Sequence, residues 1–291
     1  MHSLVKINNI DIWYETKGDS SNPAVLMIMG ACATGLFWPD SYRDALVAKG
    51  FYVIRYDHRD TGLSSSIDFK LDPYSLNGLA DDAFALLDTL QIQKAHVVGT
   101  SMGGYIALLM AIKYPQRVLS LSLLASTTNL SDITNAIDQR GVYHPIIAAP
   151  TLAMLDVLTA AVPAVTAEQV VGNIVHSWRV LNGTAAPFDE KYFWHLAEMA
   201  YLRERSHTAA GNHLLAIRKT CFDQNKAIQK IKQPTLIIHG THDPILPLPH
   251  GESIARLISR SKLHIIQNMG HMLTPDFDSN CLRLLLPFLG A

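Results

Sequence analysis

The chain has 291 residues, 48% of them apolar and 17% charged, with a formal net charge of -1. That apolar content supports a sizeable folded core and excludes an intrinsically disordered chain, and α/β chains of this length often build one core. The near-neutral charge gives no electrostatic reason to expect nucleic acid or an anionic membrane as a partner.

The first residues, Met1-His2-Ser3-Leu4-Val5-Lys6, carry no basic-then-apolar leader pattern. Leu4–Ile7 and Ile10–Glu15 read as a hairpin turned by Asn8-Asn9. Val25–Met29 reads as a strand entering the small-residue turn Gly30-Ala31. The nearly uncharged run 24–38 around it is too short and too glycine-marked to span a bilayer. Tyr52–Tyr56 is the next strand. It leads into Asp57-His58-Arg59-Asp60-Thr61-Gly62, where Asp57 and Arg59 are expected to tie down the loop rather than touch substrate. Leu76, Leu79, Ala80, Ala83, Leu86, Leu87 and Leu90 recur at helical spacing, with Asp81, Asp82 and Asp88 largely outside that stripe. His96–Val98 predicts a strand running into Gly99-Thr100-Ser101-Met102-Gly103. The apolar stretch Tyr105–Tyr114 predicts a buried central helix, stopped by Pro115.

Leu119–Leu124, Thr235–His239 and Leu263–Gln267 complete the strands. Between Ser126 and Asp223 there is no convincing strand pattern, only helix-like segments punctuated by Pro145, Pro150, Pro163 and Pro187. Short apolar runs alternating with helical patterns predict a mostly parallel sheet flanked by helices. The interruption predicts a helical cap, 126–223, inserted into a core domain made of 1–125 and 224–291. Cys32, Cys221 and Cys281 form neither a disulfide framework nor a CxxC pair, so a reducing cytoplasm is expected.

A G-x-S-x-G turn between a strand and a helix is a nucleophile elbow, which presents a serine hydroxyl above the sheet. Serine is a weak nucleophile and needs a base, and the base needs an orienting acid. In this architecture the acid and histidine follow in that order. Asp243 lies in the loop after Thr235–His239, and His271 in the loop after Leu263–Gln267. Both loops therefore belong at the C-terminal edge of the sheet, where ligands bind in open parallel sheets. Ser101, Asp243 and His271 are the candidate catalytic residues. The backbone N–H groups of Ala31 and Met102 are the candidate oxyanion donors. Asp132 is the rival acid. His239, His242, His250 and His264 lack a metal-ligand pattern and are expected to be structural, as is Cys32, so no metal is expected. No phosphate-binding glycine loop occurs.

With these motifs the sequence resembles the α/β-hydrolase superfamily and, within it, the aclacinomycin methylesterase-like group, which removes methyl esters from polyketide products. Trp38-Pro39-Asp40, Ile54–Gly62, Gly99–Gly103, Trp178-Arg179-Val180-Leu181-Asn182-Gly183, Pro187-Phe188-Asp189, His242-Asp243-Pro244-Ile245, Pro249-His250-Gly251 and Met269-Gly270-His271 carry the resemblance nearly end to end. It implies Ser101 as nucleophile, Asp243 as acid, His271 as base and the Ala31 and Met102 amides as the oxyanion hole. Ala31 stands where a second glycine is common.

The expected activity is hydrolysis of a small hydrophobic carboxylic ester, such as a methyl ester or lactone, without a cofactor. The cap would select substrate, with Trp178, Phe188, Tyr192 and Trp194 as candidate binding residues. The same triad also serves perhydrolysis and carbon–carbon bond hydrolysis, and a non-turnover receptor on this scaffold is a further alternative.

Overall fold

In a computed structural model, which describes residues 2–139, 144–160 and 166–290, the Asn8-Asn9 turn joins β1 (His2–Ile7) to β2 (Ile10–Lys17). Both asparagines have positive φ, 45° and 65°, a conformation their short polar side chains tolerate. β3 (Ala24–Ile28) follows, then α1 (Asp40–Ala48), β4 (Tyr52–Tyr56), α2 (Leu76–Thr89), β5 (Ala95–Thr100), α3 (Met102–Lys113) and β6 (Val118–Leu124). The interrupting segment contains α4 (Ser131–Asp138), α5 (Leu152–Thr159), α6 (Ala167–Leu181), α7 (Glu190–Arg203) and α8 (Asn212–Arg218). The chain then closes with α9 (Asn225–Ile228), β7 (Thr235–Gly240), α10 (Pro249–Leu257), β8 (Ser261–Ile266) and α11 (Pro275–Leu289).

The strand order is β1-β2-β4-β3-β5-β6-β7-β8, with β2 antiparallel to both of its neighbours and all the other pairings parallel. Alternate residues of β3 enter opposite layers, as the two-residue period of a strand requires. Leu26 and Ile28 join α2, α3 and α10, whereas Val25 and Met27 join α1 and α11. The chain crosses from β4 over β3 to β5, so the C-terminal ends of β3 and β5 form a topological switch point. The Gly30-Ala31 turn and the Ser101 turn leave the sheet there.

α3 begins at Met102, three residues before the apolar stretch that predicts it, and ends at Lys113. Tyr114 leaves helical geometry (φ -137°, ψ 67°) ahead of Pro115. On α2, Asp82 lies outside the apolar stripe yet is 2% exposed, and it takes a bidentate bond from Arg59 (2.7 and 2.7 Å). Asp57 is likewise buried. It accepts the Gly35 and Leu63 N–H groups (2.8 and 3.0 Å) and pairs with Arg203 at the end of α7 (2.7 Å).

Among the described residues, segment 126–223 contains no strand. α6 opens with a Thr166/Gln169 capping box and α7 with the Asp189 side chain accepting the Tyr192 N–H, so both starts are locally encoded. These two helices enclose their own cluster of Val171, Val175, Trp178, Phe193 and Ala197. By contrast, Leu130, Ile133, Ala216 and Ile217, in and beside α4 and α8, pack into the core of the sheet. Pro163, one of the four prolines that punctuate the segment, lies outside the described residues. No helix among those described is long and apolar enough to cross a membrane.

Candidate active site

Ser101 joins β5 to α3 with φ 53° and ψ -123°, a backbone state that costs a side-chain-bearing residue about 1–3 kcal/mol. The surroundings hold it there. Its N–H donates to Leu124 O (2.9 Å), and its carbonyl accepts the Ser126 hydroxyl (2.8 Å) and the Gly104 N–H (3.0 Å). Gly103 leaves no room for a side chain, since a Cβ there would lie 2.2 Å from Ile28 O. That close approach seats the N-terminus of α3 against the end of β3. Ser101 Oγ makes no hydrogen bond among the described residues, and apo nucleophiles commonly wait for substrate before tightening theirs.

The Gly30-Ala31 turn abuts the elbow, with the Cβ position of Gly30 only 3.2 Å from Ser101 Cβ. Met102 N–H is the first amide of α3, where no intrahelical acceptor exists and the helix dipole favours negative charge. Neither it nor the Ala31 N–H has a backbone partner among the described residues.

Asp243 follows β7 and is buried. Its Oδ1 accepts two backbone N–H groups, from Ile245 (3.0 Å) and Leu246 (2.8 Å), and its Oδ2 lies 2.7 Å from His271 Nδ1. Burial pushes the carboxyl up, but the charge and hydrogen bond of His271, the His239 ring and the Leu246 N–H outweigh it and hold the carboxyl below its usual range. An ionised carboxylate only accepts hydrogen bonds, so the His271 proton sits on Nδ1 and leaves Nε2 free as a base.

The end of α6 fixes the His271 loop. His271 N–H donates to Leu181 O (2.8 Å), and a Cβ on Gly270 would lie 2.0 Å from Asn182 O. Asn182 is itself buried and donates to the carbonyls of Ala186 and Pro187 (3.1 and 3.1 Å). No local pattern in the sequence announces this backbone-to-backbone contact.

Asp132 is occupied elsewhere. Its buried carboxylate accepts the N–H groups of Ile146, Ile147 and Ala148 (2.8, 2.8 and 3.3 Å). His250 bridges Thr127 and Ala148 O, His239 meets Leu246 O, and His242 meets Thr241. Among the described residues no three His, Cys, Asp or Glu side chains converge as metal ligands.

Of the candidate substrate residues, Trp178 packs edge-on to Phe37 at 4.8 Å, and Met272 beside His271 packs on the same cluster. Phe188 stacks on Phe193 (4.6 Å), and Tyr192 also packs on Phe193 (5.1 Å). Trp194 bonds Glu198 and borders an open hollow of about 560 Å³ with Glu190, Lys191 and His195. The ring and hydrogen-bond partners of these three residues lie within segment 126–223.

The sequence profile of the α/β hydrolase fold matches residues 23–277. The chain is 34% identical over 284 residues to the rhodomycin D methylesterase of Streptomyces peucetius, covering 93% of this chain and 92% of that one. It is 31% identical over 205 residues to a 2-hydroxymuconate semialdehyde hydrolase of a Pseudomonas species, covering 68% and 62%. The crystal structure of a Pseudomonas aeruginosa hydrolase superposes with a TM-score of 0.75 at 25% identity, covering 100% and 98% of the two chains. The enol-lactonase from Burkholderia xenovorans superposes with a TM-score of 0.78 at 19% identity, covering 99% and 100%, which bears on fold alone.

Proposed function

This chain belongs to the α/β-hydrolase fold family, in the aclacinomycin methylesterase-like group, and from that premise we propose that it is a serine esterase for a methyl ester of a hydrophobic carboxylic acid. In this reading His271 Nε2 takes the Ser101 proton as Oγ attacks the ester carbonyl. The Ala31 and Met102 N–H groups receive the oxyanion, each contributing on the order of 10²–10³ in rate. Asp243 stabilises the imidazolium, which then protonates the departing methoxide. Water activated by His271 attacks the acyl-enzyme, and the acid product leaves with Ser101 restored. Nucleophile, base and oxyanion donors are all protein groups, so the reaction needs no cofactor.

The observation that carries this mechanism is the 2.7 Å bond between His271 and a carboxylate held ionised. The methyl leaving group rests on the relatives' activity, and the preference for a hydrophobic acid rests on the aromatic cap cluster and its Trp178–Phe37 contact. The test is methanol release from aromatic polyketide methyl esters, alongside p-nitrophenyl acetate, butyrate and octanoate, by wild type and Ser101→Ala. Continuous methanol release abolished by Ser101→Ala supports the reading, and undiminished turnover by that variant overturns it. A second reading, carbon–carbon bond hydrolysis on the same triad, is favoured by the similarity to the semialdehyde hydrolase. Turnover of a meta-cleavage dienoate with no ester hydrolysis would select it.

A further inference from the structure

Two fully buried imidazoles that the chemistry above does not use grip the turn after β3. His58 Nε2 lies 3.0 Å from Met29 O, and Cys32 N–H donates to His213 Nδ1 at 2.9 Å. The rings meet edge-on at 5.6 Å. His58 follows β4 in the core, whereas His213 comes from the first turn of α8 in the interrupting segment. Both protonation states are set by their partners. A backbone N–H can only donate, so His213 Nδ1 must accept, and its proton sits on Nε2, 2.9 Å from Arg59 O. His58 must donate to a carbonyl from Nε2, which leaves Nδ1 bare and, among the described residues, without a hydrogen-bond partner. Burial lowers both histidines, His58 to about 3, so both are neutral.

The order of peptide units gives this arrangement its consequence. The Met29–Gly30 peptide is held through its oxygen by His58. The Ala31–Cys32 peptide is held through its N–H by His213. Between them lies the Gly30–Ala31 peptide, whose N–H has no backbone partner among the described residues and is the candidate oxyanion donor. Cys32 occupies the left-handed region (φ 58°), which an L-residue keeps only when its surroundings impose it. A second contact from the same segment, Cys32 Sγ to Ala210 O at 3.1 Å, reinforces the grip.

We propose that His213, with His58 opposite, is a positioning residue for the oxyanion hole, so that the segment between β6 and β7 sets the orientation of the Ala31 amide. The proposal rests on the esterase reading and on Ala31 as an oxyanion donor. It predicts opposite amide preferences at the two positions. Asparagine places an oxygen where a histidine carries Nδ1, and glutamine places an NH2 where it carries Nε2. His213→Asn retains the acceptor for Cys32 N–H and should keep kcat within about threefold, whereas His213→Gln loses it and should drop kcat about 10²-fold with little change in KM. At position 58 the order reverses, because Gln keeps the donor for Met29 O and Asn does not.

The experiment measures kcat, KM and thermal unfolding for the four variants, with Ser101→Ala as a parallel control. Crossed preferences in kcat that do not follow thermal stability support the proposal. Equal kcat for His213→Gln and wild type, or the same amide order at both positions, overturns it. Undiminished turnover by Ser101→Ala would instead overturn the esterase reading. If the His213 variants do not fold, imidazole ¹⁵N spectra of wild type decide. Both rings must remain neutral Nε2–H tautomers below the ordinary histidine pKa of about 6.5, and a charged or Nδ1–H His213 refutes the proposal.

Discussion

Asp243→Asn tests the site through a single atom. In the native protein Asp243 Oδ1 receives the Ile245 and Leu246 N–H groups, while Oδ2 receives His271 Nδ1–H. An asparagine has one acceptor oxygen, and the two converging backbone donors will claim it, because an NH2 turned towards them would leave both unpaired. The NH2 therefore faces His271 Nδ1, which must switch from donor to acceptor. The imidazole proton moves to Nε2, the nitrogen that should take the Ser101 proton, and the base is disabled while the loop stays in place. A wrong-tautomer base costs about 10⁴ in kcat, or about 5 kcal/mol at 1.36 kcal/mol per tenfold. The two retained backbone bonds keep the stability loss far smaller. The assay is kcat on p-nitrophenyl butyrate, normalised by titration of folded protein, with urea unfolding in parallel. A folded variant retaining more than about a tenth of wild-type kcat would refute the tautomer argument and Asp243 as the acid.

Gly270→Ala should lower kcat about 10²-fold and stability by about 1–3 kcal/mol, because its Cβ meets the Asn182 carbonyl at 2.0 Å and neither backbone can yield; steady-state kinetics with urea unfolding checks both. Asp132→Asn should cost about 1–3 kcal/mol through weakened bonds to residues 146–148 yet leave kcat nearly unchanged, and a collapse equal to that of Asp243→Asn would reverse the choice of acid. Burial, then the Asp57 carboxylate, push Glu204 up to about 7 against the pull of Arg203. Its folded value exceeds the unfolded one of about 4.3, so its stabilising contribution is complete below about pH 4.3 and is lost as pH rises through about 7. Glu204→Gln should therefore match wild type near pH 4 and be about 1–2 kcal/mol more stable at pH 8, read by thermal unfolding across that range. Asp243 has the opposite sign, since its depressed folded value makes its stabilisation fail only as pH falls below the ordinary carboxylate range.

The strands, the elbow and the loops bearing Asp243 and His271 were legible in the sequence because each is written in adjacent residues. Two-residue alternation, helical spacing, Pro115 and the glycines around Ser101 act over a few positions, and chain order supplies the rest. Asp82 shows the limit of that reading. Its position outside the apolar stripe of α2 named no partner, and it is Arg59 from the loop after β4, with Asn8, that makes its burial tolerable. The candidate substrate residues of segment 126–223 were likewise chosen by aromatic character, and the ring and hydrogen-bond partners of Phe188, Tyr192 and Trp194 lie within that segment.

The sequence by itself determined the sheet, the family and the identity of the three candidate catalytic side chains. Tertiary structure decided what holds them. Leu181 O on His271 N–H, Asn182 against Gly270, and His213 on Cys32 N–H across 181 positions of chain are contacts of backbone groups or buried rings. Every non-proline residue carries the same N–H and every residue the same C=O, so composition and periodicity cannot say which pairs will meet. That choice is made only when the layers pack and each buried polar group must find a partner.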